Sequence, residues 1–418
     1  MKIVNKNING INVTFIKTNK FKSIYGSLIF KSLVTKEKMT YGALLRNVLM
    51  ESTKKYDTNQ KLNINTLENY DAYYSAANSR IGNYYFNKFN FSALEDKYTK
   101  EGNLKNVLDT FCEIVFNPNV NADGFDDESF KINHERLKLS LEKRKENQRS
   151  YAEERVLKYL DQNMPYTFDR DVDVLNSITK ESLYDYYKDM INNSNVSLII
   201  VGNIEDENSF NDIIYKIKNN KEFDKELYIS NDDLNASYKD IKETGYGTQN
   251  VLYLVCYLKN MNSYELNYVM PIFCTILGGS GNSRLFDNVR EKNSLAYYCF
   301  ARLEKDDNLL EIITGIEKEN YEKSLKIIKE ELKKMDKITD EEIDIAKKEL
   351  ISSLLESQDY IENLASRYHS EVIYDLPNID EFVKKLNGVT KEEVENINKK
   401  VVLKLSYFLK EGEKDGKD

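Results

Sequence analysis

The sequence predicts an α+β protein of two domains with similar topology, each a mostly antiparallel sheet with helices packed on one face. Three observations lead there: the length, the apolar content, and an order of strands and helices that occurs twice. At 418 residues the chain exceeds what one hydrophobic core supports, and two domains of about 200 residues are the natural division. Its 41% hydrophobic content can fill such cores, and 31% charged residues do not make a disordered composition.

Ile11 to Lys17 alternates, with Ile11, Val13 and Phe15 on one face, as a half-buried strand does. Ser27–Leu33 has strand length and composition. Thr40 offers an N-cap to a helix whose apolar stripe is Leu44, Leu45, Val48 and Leu49. Strands follow near Ala72–Ser79 and Tyr84–Phe91, then helices over Leu104–Phe116, 125–146, Tyr151–Leu160 and Lys180–Ile191. The apolar run Val196–Gly202 closes this unit as a buried strand.

Residues 205–240 are polar and charged, with one helical piece at Phe210–Ile217, and read as a connection between domains. The order then recurs: strand Val251–Leu258, helix Tyr264–Leu277 stopped by Gly278 and Gly279, strands Leu295–Phe300 and Leu309–Gly315, helix Tyr321–Met335. Thr339 and Glu342 have capping-box spacing before a helix with stripe Ile343, Ala346, Leu350 and Leu354. Val401–Leu409 is the last strand. The domains expected are 1–210 and 236–418, joined by 211–235.

The net charge of −9, from 69 acids against 60 bases, repels a phosphate backbone and argues against nucleic acid as a partner. Cys112, Cys256, Cys274 and Cys299 lie in or beside apolar runs without metal-site spacing, and read as reduced, buried side chains. The first residues have no apolar signal region and no stretch reaches bilayer length, so a cytoplasmic protein without a membrane is expected.

The segment from Leu277 to Tyr297 carries the sharpest motif: Leu277-Gly278-Gly279, the turn to Gly281, Ser283-Arg284-Leu285-Phe286, Arg290-Glu291-Lys292 and Leu295-Ala296-Tyr297. In order and spacing it resembles the second domain of the pitrilysin family of metallopeptidases, which includes insulin-degrading enzyme and the mitochondrial processing peptidases. Val201-Gly202-Asn203-Ile204 and the helix start at Thr339 also resemble that family. The resemblance implies half of a peptidase clamshell, with Gly278, Gly279 and Gly281 in a tight turn near the substrate path.

In that family a first-domain helix carries His-x-x-Glu-His, whose two histidines bind zinc while the glutamate polarises water. Matching Val48–Thr53 to the residues after the motif puts Ala43, Arg46 and Asn47 at the His, Glu and His positions. Alanine offers no lone pair and arginine repels a cation. The only histidines, His134 and His369, are too far apart in sequence to supply the motif elsewhere. Glu142 stands nearest the family's third ligand but reads as an ordinary helix residue without the histidines. No bound metal or cofactor is expected in this chain.

The resemblance implies one further role. In catalytic assemblies of the family an arginine and a tyrosine seven residues apart reach the zinc site from the facing domain, and Arg290 and Tyr297 have that spacing. Donors aimed at a developing oxyanion contribute about 3 kcal/mol each. Some bacterial members divide zinc and donors between two homologous chains acting on short peptides. This chain resembles the zinc-free kind, with zinc expected in its partner. A narrower resemblance, in length and tyrosine-rich first domain, is to a Gram-positive chain associated with 5-aminopentanol modification of elongation factor P. The alternatives are a catalytically inactive assembly subunit and a peptide-binding protein of a maturation pathway.

Overall fold

The computed structural model describes residues 1–218, 220–223, 227 and 237–412, in two units. The first unit comprises 1–141, 168–226 and 357–375; the second comprises 142–167, 227–356 and the residues from 376 onward. Of the expected connection at 211–235, residues 219, 224–226 and 228–235 lie outside the described residues. Ile213, Ile214 and Ile217 are buried in the first unit's core.

The first unit's strands are β1 (Lys2–Ile8), β2 (Ile11–Lys17), β3 (Ser23–Leu33), β4 (Tyr73–Ile81), β5 (Tyr84–Leu94) and β6 (Asn195–Gly202), in the order β1-β2-β6-β3-β5-β4. The second unit has β7 (Lys239–Thr244), β8 (Asn250–Leu258), β9 (Ala296–Glu304), β10 (Leu309–Ile316) and β11 (Val401–Lys410), in the order β9-β10-β8-β11-β7. Reading β2 to β6 against β7 to β11, the two orders are the same, and β1 is an added edge. The pairs β2–β6 and β7–β11 are parallel, and the other ladders are antiparallel. The predicted α+β class and repeated topology are therefore present, with one parallel pair in each sheet.

Alternation decides the faces. Ile11, Val13 and Phe15 join Leu28, Phe30, Leu198 and Ile200 against helix α1 (Lys36–Glu51), whose Leu44, Leu45, Val48 and Leu49 are buried in the first core. The N-cap of α1 is Thr35, which accepts from the backbone N–H of Lys38 at 3.3 Å. Thr40, expected as the cap, lies inside the helix, and its hydroxyl accepts from the N–H of Asp171 at 3.0 Å. The expected capping box at Thr339 is present: Glu342 accepts from Thr339 N–H at 2.7 Å, and Thr339 Oγ accepts from Glu342 N–H at 3.1 Å.

Each sheet also carries a helix on its second face, beyond the one-face layer that periodicity predicts. In the second unit, helix α2 (Gln148–Leu157) places Ala152 and Val156, with Leu160 beyond its end, against Val251, Tyr253 and Tyr407. All nine residues of β8 are buried as a result. In the first unit, helix α3 (Ile361–Ile373) lies against β3 and β6.

All four cysteines are free and buried, and burial pushes each thiol up to about 12. Among the described residues no helix is long and apolar enough to cross a membrane.

Two packing details lead to measurable consequences. Arg155 of α2 holds the Glu243 carboxylate with bonds of 2.5 and 2.7 Å, Tyr407 donates to it at 2.6 Å, and Tyr159 donates to it as well. The Arg155 bonds, aided by both phenols and opposed by burial, bring the Glu243 pKa from 4.5 down to about 2. A carboxyl depressed in the folded state stabilises it above the unfolded pKa, and that contribution drains as pH falls toward the folded pKa. Glu243→Gln should therefore cost about 1–2 kcal/mol at neutral pH, after discounting for solvent screening. Between pH 4.5 and about 2, the variant should lose less stability than the native chain in urea titrations; parallel losses would contradict this account.

The second detail is Gly42 in the middle of α1, where a Cβ would sit 2.2 Å from the hydroxyl of Tyr85, a side chain that is itself 1% exposed. Gly42→Ala should destabilise the fold by about 1–3 kcal/mol through overpacking, although alanine favours helix. Combining it with Tyr85→Phe, which removes the clashing oxygen, should recover part of the loss in thermal melts.

Candidate functional site

Helix α1 carries the three positions where the family's zinc motif would fall. Ala43 is buried, while Arg46 and Asn47 are half-buried. The Tyr85 ring crosses the helix at Gly42, immediately before Ala43. Burial pushes the Tyr85 phenol far up, Tyr186 adds to this, and Arg46 and Arg170 partly offset it. Tyr85 is thus packed against α1 at Gly42, with the Arg46 and Arg170 charges acting on its phenol.

The two histidines have other neighbours. His134 places Nε2 2.9 Å from the Leu175 carbonyl oxygen, and His369 sits edge-on to Phe86. Glu142 is the exposed last residue of its helix. Among the described residues no group of three or more His, Cys, Asp or Glu side chains is arranged to hold a metal ion.

In the second unit the Gly278–Tyr297 segment divides into residues that build and residues that are presented. Gly278 is needed for close approach, since a Cβ there would lie 2.6 Å from the backbone nitrogen of Ala301. Gly279 and Gly281 are exposed, and nothing lies within 4 Å of where a Gly281 Cβ would be. The Ser283 hydroxyl donates to the Ser280 carbonyl at 2.6 Å. Arg284 grips Glu342 with two bonds of 2.6 and 2.9 Å and donates to the carbonyls of Lys334 and Lys337, fastening the turn to the next helix. Leu285 and Val289 are fully buried.

Arg290 points outward from this anchored turn. Its guanidinium stacks over Phe286 at 4.7 Å and lies 3.6 Å from the Glu291 carboxylate. The backbone then turns through Ser294, at φ 51°, whose N–H donates to the Arg290 carbonyl at 2.9 Å. Tyr297 follows as the extra residue of a β-bulge: Ala296 pairs with Ile316 and Tyr298 with Gly315, leaving Tyr297 unpaired and 60% exposed. Its hydroxyl donates to Glu317, which raises the phenol's pKa. The fold brings Arg290 and Tyr297 onto one short exposed segment but gives each its own carboxylate, and the two side chains do not touch. Sequence reading overlooks Glu317 and the role of Tyr85; a glycine inside a strongly apolar helix was the available signal for the latter.

Residues 177–350 match the family described as the peptidase M16 inactive domain. Over 415 residues, 96% of each chain, this protein is 29% identical to the probable inactive metalloprotease YmfF of Bacillus subtilis (strain 168). A shorter match, 30% identical over 140 residues, is to the uncharacterized zinc protease YmxG of the same organism; it covers 32% of this chain and 34% of that one. Among solved structures, a conserved protein from Enterococcus faecalis V583 superposes with a TM-score of 0.85 and 25% identity, covering 99% of this chain and all of that one. A peptidase M16 inactive domain from Pseudomonas fluorescens shares the fold at TM-score 0.81 and 18% identity, covering 100% and 99%. This chain is thus similar to the M16 peptidases, with residues 177–350 matching the family model described as their inactive domain and the whole chain similar to a probable inactive metalloprotease.

Proposed function

We propose that this chain is the zinc-free half of a two-chain peptidase and lends Arg290 and Tyr297 to a homologous zinc-bearing partner acting on short peptides. One observation supports this above others. Ser283, Arg284, Leu285 and Val289 are consumed inside the fold, whereas Arg290 and Tyr297 stand exposed on a buttressed turn and a bulge. Groups presented so firmly with little internal duty suit a ligand outside the chain. A guanidinium fork and a phenol are suitable donors for a peptide carbonyl or its oxyanion. The name of the Bacillus relative, a probable inactive metalloprotease, fits a chain without its own metal site. The narrower association with 5-aminopentanol modification of elongation factor P, and the cytoplasmic location, rest on sequence resemblance and composition.

The carboxylates of Glu291 and Glu317 favour a second reading. They offset Arg290 and hold Tyr297, as expected of an inactive assembly subunit or peptide-binding protein whose donors have become surface packing.

Tagging the chain in its own organism and measuring the mass and zinc content of the purified species separates the readings. The first expects a complex near twice the chain mass with one zinc and a homologous subunit. In that complex Arg290→Ala should lower kcat/KM about 100-fold, from roughly 3 kcal/mol of lost transition-state stabilisation, with assembly unchanged. Tyr297→Phe should lower it by at least about tenfold. Full activity of Arg290→Ala removes the donor role, and a zinc-free complex without turnover supports the second reading.

A further inference from the structure

The second face of the first unit's sheet differs in chemistry from its counterpart in the second unit. Where α2 meets valine and tyrosine, α3 meets a polar row: the Cα partners Asn7, Asn12 and Ser197 follow one another across β1, β2 and β6. Beneath α3 a cavity of about 440 Å³ remains, within the size range of small-molecule sites. Asn7, Asn12 and Ser197 line it from the sheet, and Tyr368, His369, Val372 and Ile373 line it from the helix.

Two cavity-lining groups are unspent. His369 is 7% exposed, touches Phe86 by its edge, and has no hydrogen-bond partner among the described residues. A ring nitrogen with no protein partner at a cavity wall is available to a ligand. Lys31 is half-buried, lies 4.9 Å over the Tyr84 ring, and has no carboxylate within ion-pairing distance among the described residues. Lys6, also on the wall, is already neutralised by Glu207 at 2.5 Å. The polar structure beside the cavity is in place: Asn5 accepts from Tyr368 at 2.7 Å and from Thr14 at 3.0 Å.

We infer that the cavity between α3 and the first unit's sheet is a binding site for a small monocarboxylate with an aliphatic body. The Lys31 ammonium, on which Glu222 acts without reaching ion-pairing distance, suits a negative charge, an uncharged imidazole N–H and the asparagine amides suit the carboxylate's acceptors, and Val372, Ile373 and Phe86 form an apolar wall. Inorganic phosphate lacks the aliphatic body that this wall would cover. Burial, with Lys88 and Lys31 adding to it, brings the His369 pKa down to about 3, so the ring is neutral at physiological pH and a bound anion would raise that value. The site is independent of Arg290 and Tyr297.

Because the chain has two histidines, ring-labelled histidine gives two NMR signals, and His134 is the internal reference. Titrating the full chain with N-acetyl-leucine should move the His369 signal saturably and leave His134 in place. Neutral N-acetyl-leucinamide and inorganic phosphate should have at least about tenfold weaker effects. Lys31→Gln should weaken binding by about tenfold or more, the loss expected for a charge-assisted bond. Val372→Trp, at a position 61% exposed, should obstruct the cavity without disturbing the core. No saturable shift at tens of millimolar, equal binding of the amide, or full affinity in Lys31→Gln would overturn the assignment.

Discussion

A sheet has two faces, and a strand that is apolar on both must be covered twice. Strand β8 sets this requirement, since Leu252, Leu254 and Cys256 face one core while Val251, Tyr253 and Val255 face another. Each fully buried side chain of this size contributes about 1.5–3 kcal/mol, so leaving either face bare is prohibitive. The chain meets the requirement by an exchange of cover. Residues 142–167 leave the first half of the sequence to complete the second unit, and 357–375 return to complete the first. The repeated strand order, the seating of α2 through Arg155 and Glu243, and the position of α3 all follow from it.

The M16 inactive-domain match lies at residues 177–350, outside α1, whose packing is a separate observation. A catalytic helix of this family presents two imidazoles at one face; here that stretch carries glycine and alanine, with a tyrosine ring packed across the glycine. The Tyr85 ring makes the Gly42–Ala43 stretch of α1 part of the core, while Arg46 and Asn47 remain half-buried. The second unit follows a different course, keeping its turn rigid through Arg284 and Val289 while leaving Arg290 and Tyr297 in solvent. Buried anchors and exposed side chains thus stand next to one another along one segment.

Much of the fold was legible because periodicity and burial agree. β2, β5, β6, β8 and β11 announce themselves as alternating or continuous apolar runs, and the Thr339–Glu342 box marks its helix start. The missed strands β1 and β7 read Lys-Ile-Val-Asn-Lys-Asn-Ile and Lys-Asp-Ile-Lys-Glu-Thr; both are edges, where charge protects against aggregation and hides the strand pattern. The start of α1 was misplaced because Thr35 and Thr40 are equally good caps locally, and only the contact with Asp171 fixes Thr40 inside. In the candidate site, Arg290 and Tyr297 were singled out by the family resemblance and its seven-residue spacing. The bulge that projects Tyr297 and the carboxylate of Glu317 depend on pairing with β10, a long-range contact that local sequence does not encode.

The exchange of cover also sets an order of events during synthesis. Every strand of the first sheet has been synthesised once residue 202 is made, yet the helix that roofs it begins at Ile361. Its ties are among the longest in the chain: Tyr368 bonds to Asn5, and Lys20 to Asp359. The nascent first half therefore waits with one sheet face open to water, and the Asn, Ser and Lys residues on that face can be solvated during the wait where a valine-rich surface would aggregate. The first unit, whose strands were all made by residue 202, is complete only at residue 375.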